Sequence, residues 1–269
     1  MKLEYGTILC PEPITLSVGT LRSPTLREIG RLSFEQFGYY EFLLKMTPET
    51  FYTVIRGDDG KAFWDSLTSE EKHDITLYDI IEEDEKLAEM YAEVFDFFFV
   101  EPVVFKEGYF ILLKEDIEDK NAVDPDNIRG VIARETLPQV LGLIQQICCI
   151  HDDKKEEEEA EEPKFKNELA RQLYEKMQKA KKQEVKKKAD VNYSLPNIVS
   201  AVSNKHPSIS PITVWDLTIF QLLDAFNRLQ INTVYEIDST RVSVWGDEKK
   251  TFNPSLWYKN EYDKDEAQP

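Results

Sequence analysis

Residues 151–190 read HDDKKEEEEAEEPKFKNELARQLYEKMQKAKKQEVKKKAD, and this stretch decides how the chain is divided. It carries 12 acidic and 12 basic residues and little apolar material, too little to offset the entropy of ordering a core. Glu156 to Glu162 is an acidic block expected to stay unfolded, and Lys179 to Lys188 is a basic one. Between them Phe165, Leu169, Leu173 and Met177 recur every four residues, a narrow stripe that predicts a tether or docking helix. The expected organisation is an acidic α-rich domain with a β-hairpin over 1–150, a charged linker or helix over 151–190, and a small helical domain over 191–269. The fold class is α+β, mainly α.

On the N-terminal side, residues 1–22 read as extended, with Ile14 to Val18 alternating at strand period. Ser23 and Pro24 predict a helix start, and Leu26, Ile29, Ser33, Phe37, Tyr40 and Leu44 place one stripe along a single helix. Thr47-Pro48 starts another helix, which Gly57 ends, with a turn at Asp58-Asp59-Gly60. Thr68 and Thr76 read as capping-box starts. Glu82 to Phe99 reads as one acidic helix with Leu87, Met90, Tyr91, Val94 and Phe98 facing inward. Val103-Val104-Phe105 and Tyr109 to Leu112 flank Lys106-Glu107-Gly108, a hairpin pattern. A helix with Pro138 near its start runs to about Ile150.

On the C-terminal side, Leu195 to Val202 predicts a short helix and Thr213-Val214-Trp215-Asp216 opens a longer one. Thr233 to Trp245 alternates roughly with period two, a strand-like pattern. Trp215 and Trp245 are expected in the core. Trp257 and Tyr258 lie beyond the last predicted element, as either a late packing anchor or an exposed contact for another protein.

The formal charge of −18 comes mostly from residues 1–150, where 29 acidic residues stand against 14 basic ones. Such an excess argues against phosphate neutralisation, hence against nucleic acid, and against docking on anionic lipid. No apolar run approaches a membrane span, and the three cysteines, Cys10, Cys148 and Cys149, offer no disulfide framework, which reads as a reducing compartment. A soft-metal site at Cys148, Cys149 and His151 has no evident fourth ligand, and adjacent cysteines on a helix diverge; the preferred reading is two small buried hydrophobes. Asp124, Asp126 and Glu135 match part of a calcium loop, but Ile128 stands at a ligand position and the glycine is displaced to Gly130. No phosphate-binding glycine loop or glycine-flanked nucleophilic serine occurs. No catalytic, cofactor-binding or metal-binding residue is therefore assigned, and the expectation is a non-enzymatic protein.

Five stretches carry a resemblance: IVSAVSNKHPSISPITVWDLTIFQLLDAFNRLQ (198–230), YEIDSTRVSVWGD (235–247), FNPSLWYKN (252–260), ITLSVGTLRSPTLREI (14–29) and VIARETLPQVLGLIQQI (131–147). Their order resembles a family encoded in the tail modules of phages and prophages of Gram-positive bacteria. A larger N-terminal part, a charged linker and a small helical part are similar to phage tail assembly chaperones, which coat the tape-measure protein until tail-tube subunits replace them. The resemblance implies a tape-measure or tail-tube protein as partner and the host cytoplasm as the place of action. A structural virion component, a baseplate or tail-hub subunit in the virion tail, is the alternative. These are packing and turn motifs, and no functional residue transfers with them.

Overall fold

The computed structural model describes residues 2–117, 123–150, 191–248, 250–260 and 262. Among these it is mainly helical with two small antiparallel sheets, the α+β class expected. The acidic block and the Phe165, Leu169, Leu173, Met177 stripe lie outside the described residues. The described residues group into two compact units. One holds those up to Ile150 with Asp216–Gln221 and residues 260 and 262; the other holds residues 191–215 and Leu222–Lys259.

The first unit opens with a short helix, α1 (Tyr5–Leu9), in place of extended chain. Five residues do not hold a helix alone. Burial of Leu3 and Ile8, and a 2.8 Å bond from the Leu3 N–H to the Gln146 side chain, anchor it. Strands β1 (Ile14–Thr15) and β2 (Thr20–Leu21) then form a two-stranded ladder. Helix α2 (Leu26–Leu32) is capped by Thr25, not Ser23, because Thr25 and Glu28 exchange bonds in a capping box that satisfies two end donors at once. Pro24 precedes the helix, and its carbonyl accepts the Ile219 N–H at 3.0 Å while Leu26 N–H reaches Leu217 at 2.9 Å.

The stripe predicted for one helix is split at Ser33, whose φ of 91° breaks the run. Its hydroxyl then caps α3 (Phe34–Leu44) by accepting from Gln36 N–H at 3.1 Å. Leu26, Ile29, Phe37, Tyr40 and Leu44 are buried as their spacing predicts; Ser33 is exposed. Helix α4 (Pro48–Thr50) starts at Thr47 and passes into a π-helical turn, Phe51–Ile55. Asp58, Asp59 and Gly60 do not make a turn; they lie in α5 (Gly57–Ser66). A Cβ on Gly60 would stand 2.4 Å from the Tyr52 carbonyl oxygen, so the glycine serves close packing of α5 on the π turn.

Helices α6 (Ser69–Asp74) and α7 (Leu77–Glu83) begin with the expected capping boxes. The segment from Glu82 to Phe99 is not one helix. Asp84 leaves helical geometry, and its carboxylate caps α8 (Glu85–Phe98) at the Leu87 N–H, 3.2 Å away. A charged side chain that serves both as a helical surface residue and as an N-cap is ambiguous in sequence. The hairpin forms as predicted from β3 (Val103–Lys106) and β4 (Tyr109–Leu113), with Glu107 and Gly108 at φ 51° and 81° supplying its two-residue turn. A third strand, β5 (Ile128–Ile132), pairs with β4 and has no counterpart in the sequence reading. Gly130 interrupts its apolar pattern, yet is required there, since a Cβ would lie 2.0 Å from the carbonyl oxygen of Val18. Helix α9 (Leu137–Ile147) follows.

These elements close around α8. Tyr91, Val94, Phe95 and Phe98 are buried, and Phe95 meets Phe110 edge-on at 4.9 Å. The Tyr91 phenol donates to the Leu43 carbonyl at 2.7 Å, and Gln145 of α9 donates to Leu44 at 2.6 Å. Two of the last carbonyls of α3 thus receive side-chain donors from two other helices. Burial raises the Tyr91 phenol pKa far above its ordinary value.

In the second unit α10 (Leu195–Lys205) buries Ile198, Val199 and Val202. Helix α11 (Ile219–Trp245) gives its first residues to the first unit and the rest, from Leu222, to the second. Thr233 to Trp245 is therefore helical, not strand-like. Ile231, Tyr235, Asp238 and Val242, all half-buried, fall at steps of four, three and four, a helical period hidden among β-branched residues. The hydroxyls of Thr240 and Ser243 bond back to Glu236 and Ser239 carbonyls at 2.8 and 2.7 Å, so polar residues that favour other conformations are absorbed into the helix.

Candidate protein-binding surface

The chain after α11 folds back along the second unit through a short series of polar ties. Gly246, at φ 77°, ends the helix. The Asp247 carboxylate then accepts the N–H groups of Thr251 and Phe252, each at 2.9 Å, and these two donors hold its pKa below the ordinary carboxylate value. Phe252 reaches Tyr235 at 5.6 Å between ring centroids, and Arg228 of α11 donates to the Lys259 carbonyl at 2.8 Å. Within this frame Asn253 accepts from Ser255 N–H at 2.9 Å and starts a 3-10 turn, Leu256–Tyr258.

That turn carries Trp257 and Tyr258, 52% and 58% exposed, with their rings edge-to-face at 4.9 Å. The Tyr258 hydroxyl donates to Ser255 at 2.8 Å, which fixes the ring on a surface turn. The two residues are thus side by side, oriented and half in water.

Trp245 departs from its expected place in the core: it is 77% exposed, whereas Trp215 is half-buried and donates to the Pro211 carbonyl at 3.0 Å. With Val234, Ile237 and Val244 it lies on the outer side of α11, an exposed apolar stripe at helical spacing. Reading Thr233 to Trp245 as a strand conceals this stripe, because the four residues share a face only at a period of 3.6.

Cys148 is buried and its thiol pKa is pushed well up, by desolvation first and then by the nearby Glu41 carboxylate, which makes it a poor nucleophile. Cys149 is half-buried and Cys10 is exposed; His151 lies outside the described residues. Asp124 caps a 3-10 turn by accepting from Asp126 N–H at 3.0 Å. Glu135 follows β5, exposed. Among the described residues no group of three or more His, Cys, Asp or Glu side chains is arranged to hold a metal ion, and no helix is long and apolar enough to cross a membrane.

Residues 179–262 match the YomV second domain. YomV is a Bacillus phage/prophage protein, so the match points to a phage-derived protein. The matched stretch is under a third of the chain and takes in α10, α11 and the Trp257-Tyr258 turn. No curated protein and no solved structure matches the chain. Both the aromatic pair and the exposed stripe of α11 thus belong to a YomV-like domain.

Proposed function

We propose that this protein is a non-enzymatic phage tail assembly chaperone or assembly accessory factor, and that the YomV-like domain recruits the tape-measure or tail-tube protein in the host cytoplasm. The observation that carries the proposal is the concentration of oriented, solvent-facing aromatic and aliphatic side chains in that domain. A small unit that leaves Trp245, Trp257 and Tyr258 in water has the composition of an interface core without its partner. A holdase must also stay soluble while it offers apolar contacts, and a net charge of −18 supplies that.

The test is co-expression of the tagged full chain with tape-measure or tail-tube protein from the same phage tail module, followed by co-purification. Changing Trp257 and Tyr258 together to Ala should lower recovery of the partner at least about tenfold, in the range of a two-residue aromatic hot spot. Circular dichroism should show an intact fold. Quantitative mass spectrometry of finished particles should find the protein absent or in traces. Fixed stoichiometry in the particle, with neither candidate co-purifying, would instead make it a structural virion component.

A further inference from the structure

Within the first unit, α8 and the chain from Val100 to Phe105 enclose an open channel of about 950 Å³. Its two walls differ in chemistry. One is the outer face of α8, where Glu85, Glu89, Glu93 and Asp96 follow one another at steps of four, four and three and so project from one side of the helix. The other presents Val100, which is 56% exposed, with Pro102 and Phe105 half-buried; Asp116 also lines the channel, and the Val103 N–H donates to the Asp96 carboxylate at 3.0 Å, which ties the two walls together. Arg22 also lines the channel, but its charge is engaged: it pairs with Glu28 at 2.7 Å and donates to the Phe97 carbonyl at 3.1 Å. Among the described residues no cationic side chain pairs with Glu85, Glu89 or Glu93.

Carboxylates four residues apart on a helix weakly repel one another, so positive charge brought to this wall is favoured. A bare cation would satisfy that wall and leave Val100 in water. An apolar segment would cover Val100 and Phe105 and bring nothing to the carboxylates. We propose that the channel is a second interaction surface, and that its occupant is an amphipathic helix of a protein partner with lysine or arginine along one flank of an apolar stripe. Glu85 to Asp96 spans about 16 Å at the helical rise, so some three turns of the partner lie along it. Aliphatic stems of lysine or arginine then cover apolar surface while their charged ends meet α8. This surface lies outside the YomV-like domain and does not depend on the tail-assembly reading.

The test uses the full chain and a fluorescein-labelled synthetic helix of about four turns, with leucine at three- and four-residue spacing and lysine on one flank, followed by fluorescence anisotropy at low salt. Glu89→Lys with Glu93→Lys should weaken binding at least about tenfold, and Val100→Ser about threefold. Glu70→Lys with Asp74→Lys changes the net charge equally on exposed positions of α6 and should change affinity less than about twofold. Glu89→Gln with Glu93→Gln, which keeps side-chain shape, should fall between. The Trp257→Ala, Tyr258→Ala protein should bind the peptide like wild type, which separates this inference from the function proposed above. Three results would overturn it: no binding by the wild type; equal weakening by the α6 and α8 reversals, which means bulk attraction only; or equal affinity for a peptide with serine in place of leucine, which means that the apolar wall is not used.

Discussion

The two units use their aromatic and aliphatic residues in opposite ways. In the first, Tyr91, Phe95, Phe98 and Phe110 are essentially out of water, and hydrogen bonds between helices finish what packing begins. In the second, α11 leaves Val234, Ile237, Val244 and Trp245 outside, and the ties of the loop after it include the Asp247 carboxylate, the Tyr235–Phe252 ring contact and Arg228. The first unit buries those large aromatic side chains in one core. The second carries apolar surface in water, at Val234, Ile237, Val244, Trp245, Trp257 and Tyr258.

The comparison breaks if the same kind of substitution costs the same in both units. Phe95→Ala removes a fully buried ring and should destabilise the first unit by about 3–5 kcal/mol. Hydrogen exchange of the α8 amides under native conditions would read that loss. Next in size is Gly130→Ala, which forces β5 from the Val18 carbonyl and should cost about 1–3 kcal/mol in urea unfolding, as overpacking against backbone does. Trp245→Ser, although it deletes a larger ring than Phe95→Ala, should cost less than about 0.5 kcal/mol in the second unit. A loss comparable to that of Phe95→Ala would show that Trp245 is a core residue after all.

The smallest effect is a pH response confined to the second unit. The Asp247 carboxyl has a depressed pKa in the folded loop, so its contribution is complete above the ordinary carboxylate value of about 4 and disappears as pH falls through the lower folded value. Exchange protection of the Thr251 and Phe252 amides should therefore be flat from neutral pH down to about pH 5 and be lost below about pH 4. Asp247→Ala should remove protection at every pH. Protection that persists in the Ala protein would assign the loop's order to Phe252 packing instead.

Local signals in the sequence were legible where one residue type has one strong use. Thr68 and Thr76 with their acidic partners three residues on, the Glu107-Gly108 turn and the α9 start near Pro138 all lie where pattern places them. Boundaries failed where a residue has two uses. Ser33 and Asp84 fit a helical surface as well as a cap; Gly60 read as part of a turn and Gly130 as the displaced glycine of a partial calcium loop, although each serves a close approach. Thr233 to Trp245 failed because β-branched residues resemble a strand unless their exposure is known. Of the candidate surface, Trp257 and Tyr258 could be singled out because they follow the last patterned element. The α8 channel could not, since its second wall arrives from beyond the helix and only folding sets Val100 opposite the carboxylates.

The pairing of residues 24–26 with residues 217–219 sets the order in which this protein can mature on the ribosome. The Leu26 amide and the Pro24 carbonyl find their partners only after Leu217 and Ile219 have been made, and the Leu3 carbonyl receives the Tyr262 hydroxyl later still, at 3.0 Å. The N-terminal unit must therefore remain open at one edge through most of translation. A fragment ending at residue 150 would lack Leu217 and Ile219, and so would leave the Leu26 N–H and the Pro24 carbonyl without these backbone partners.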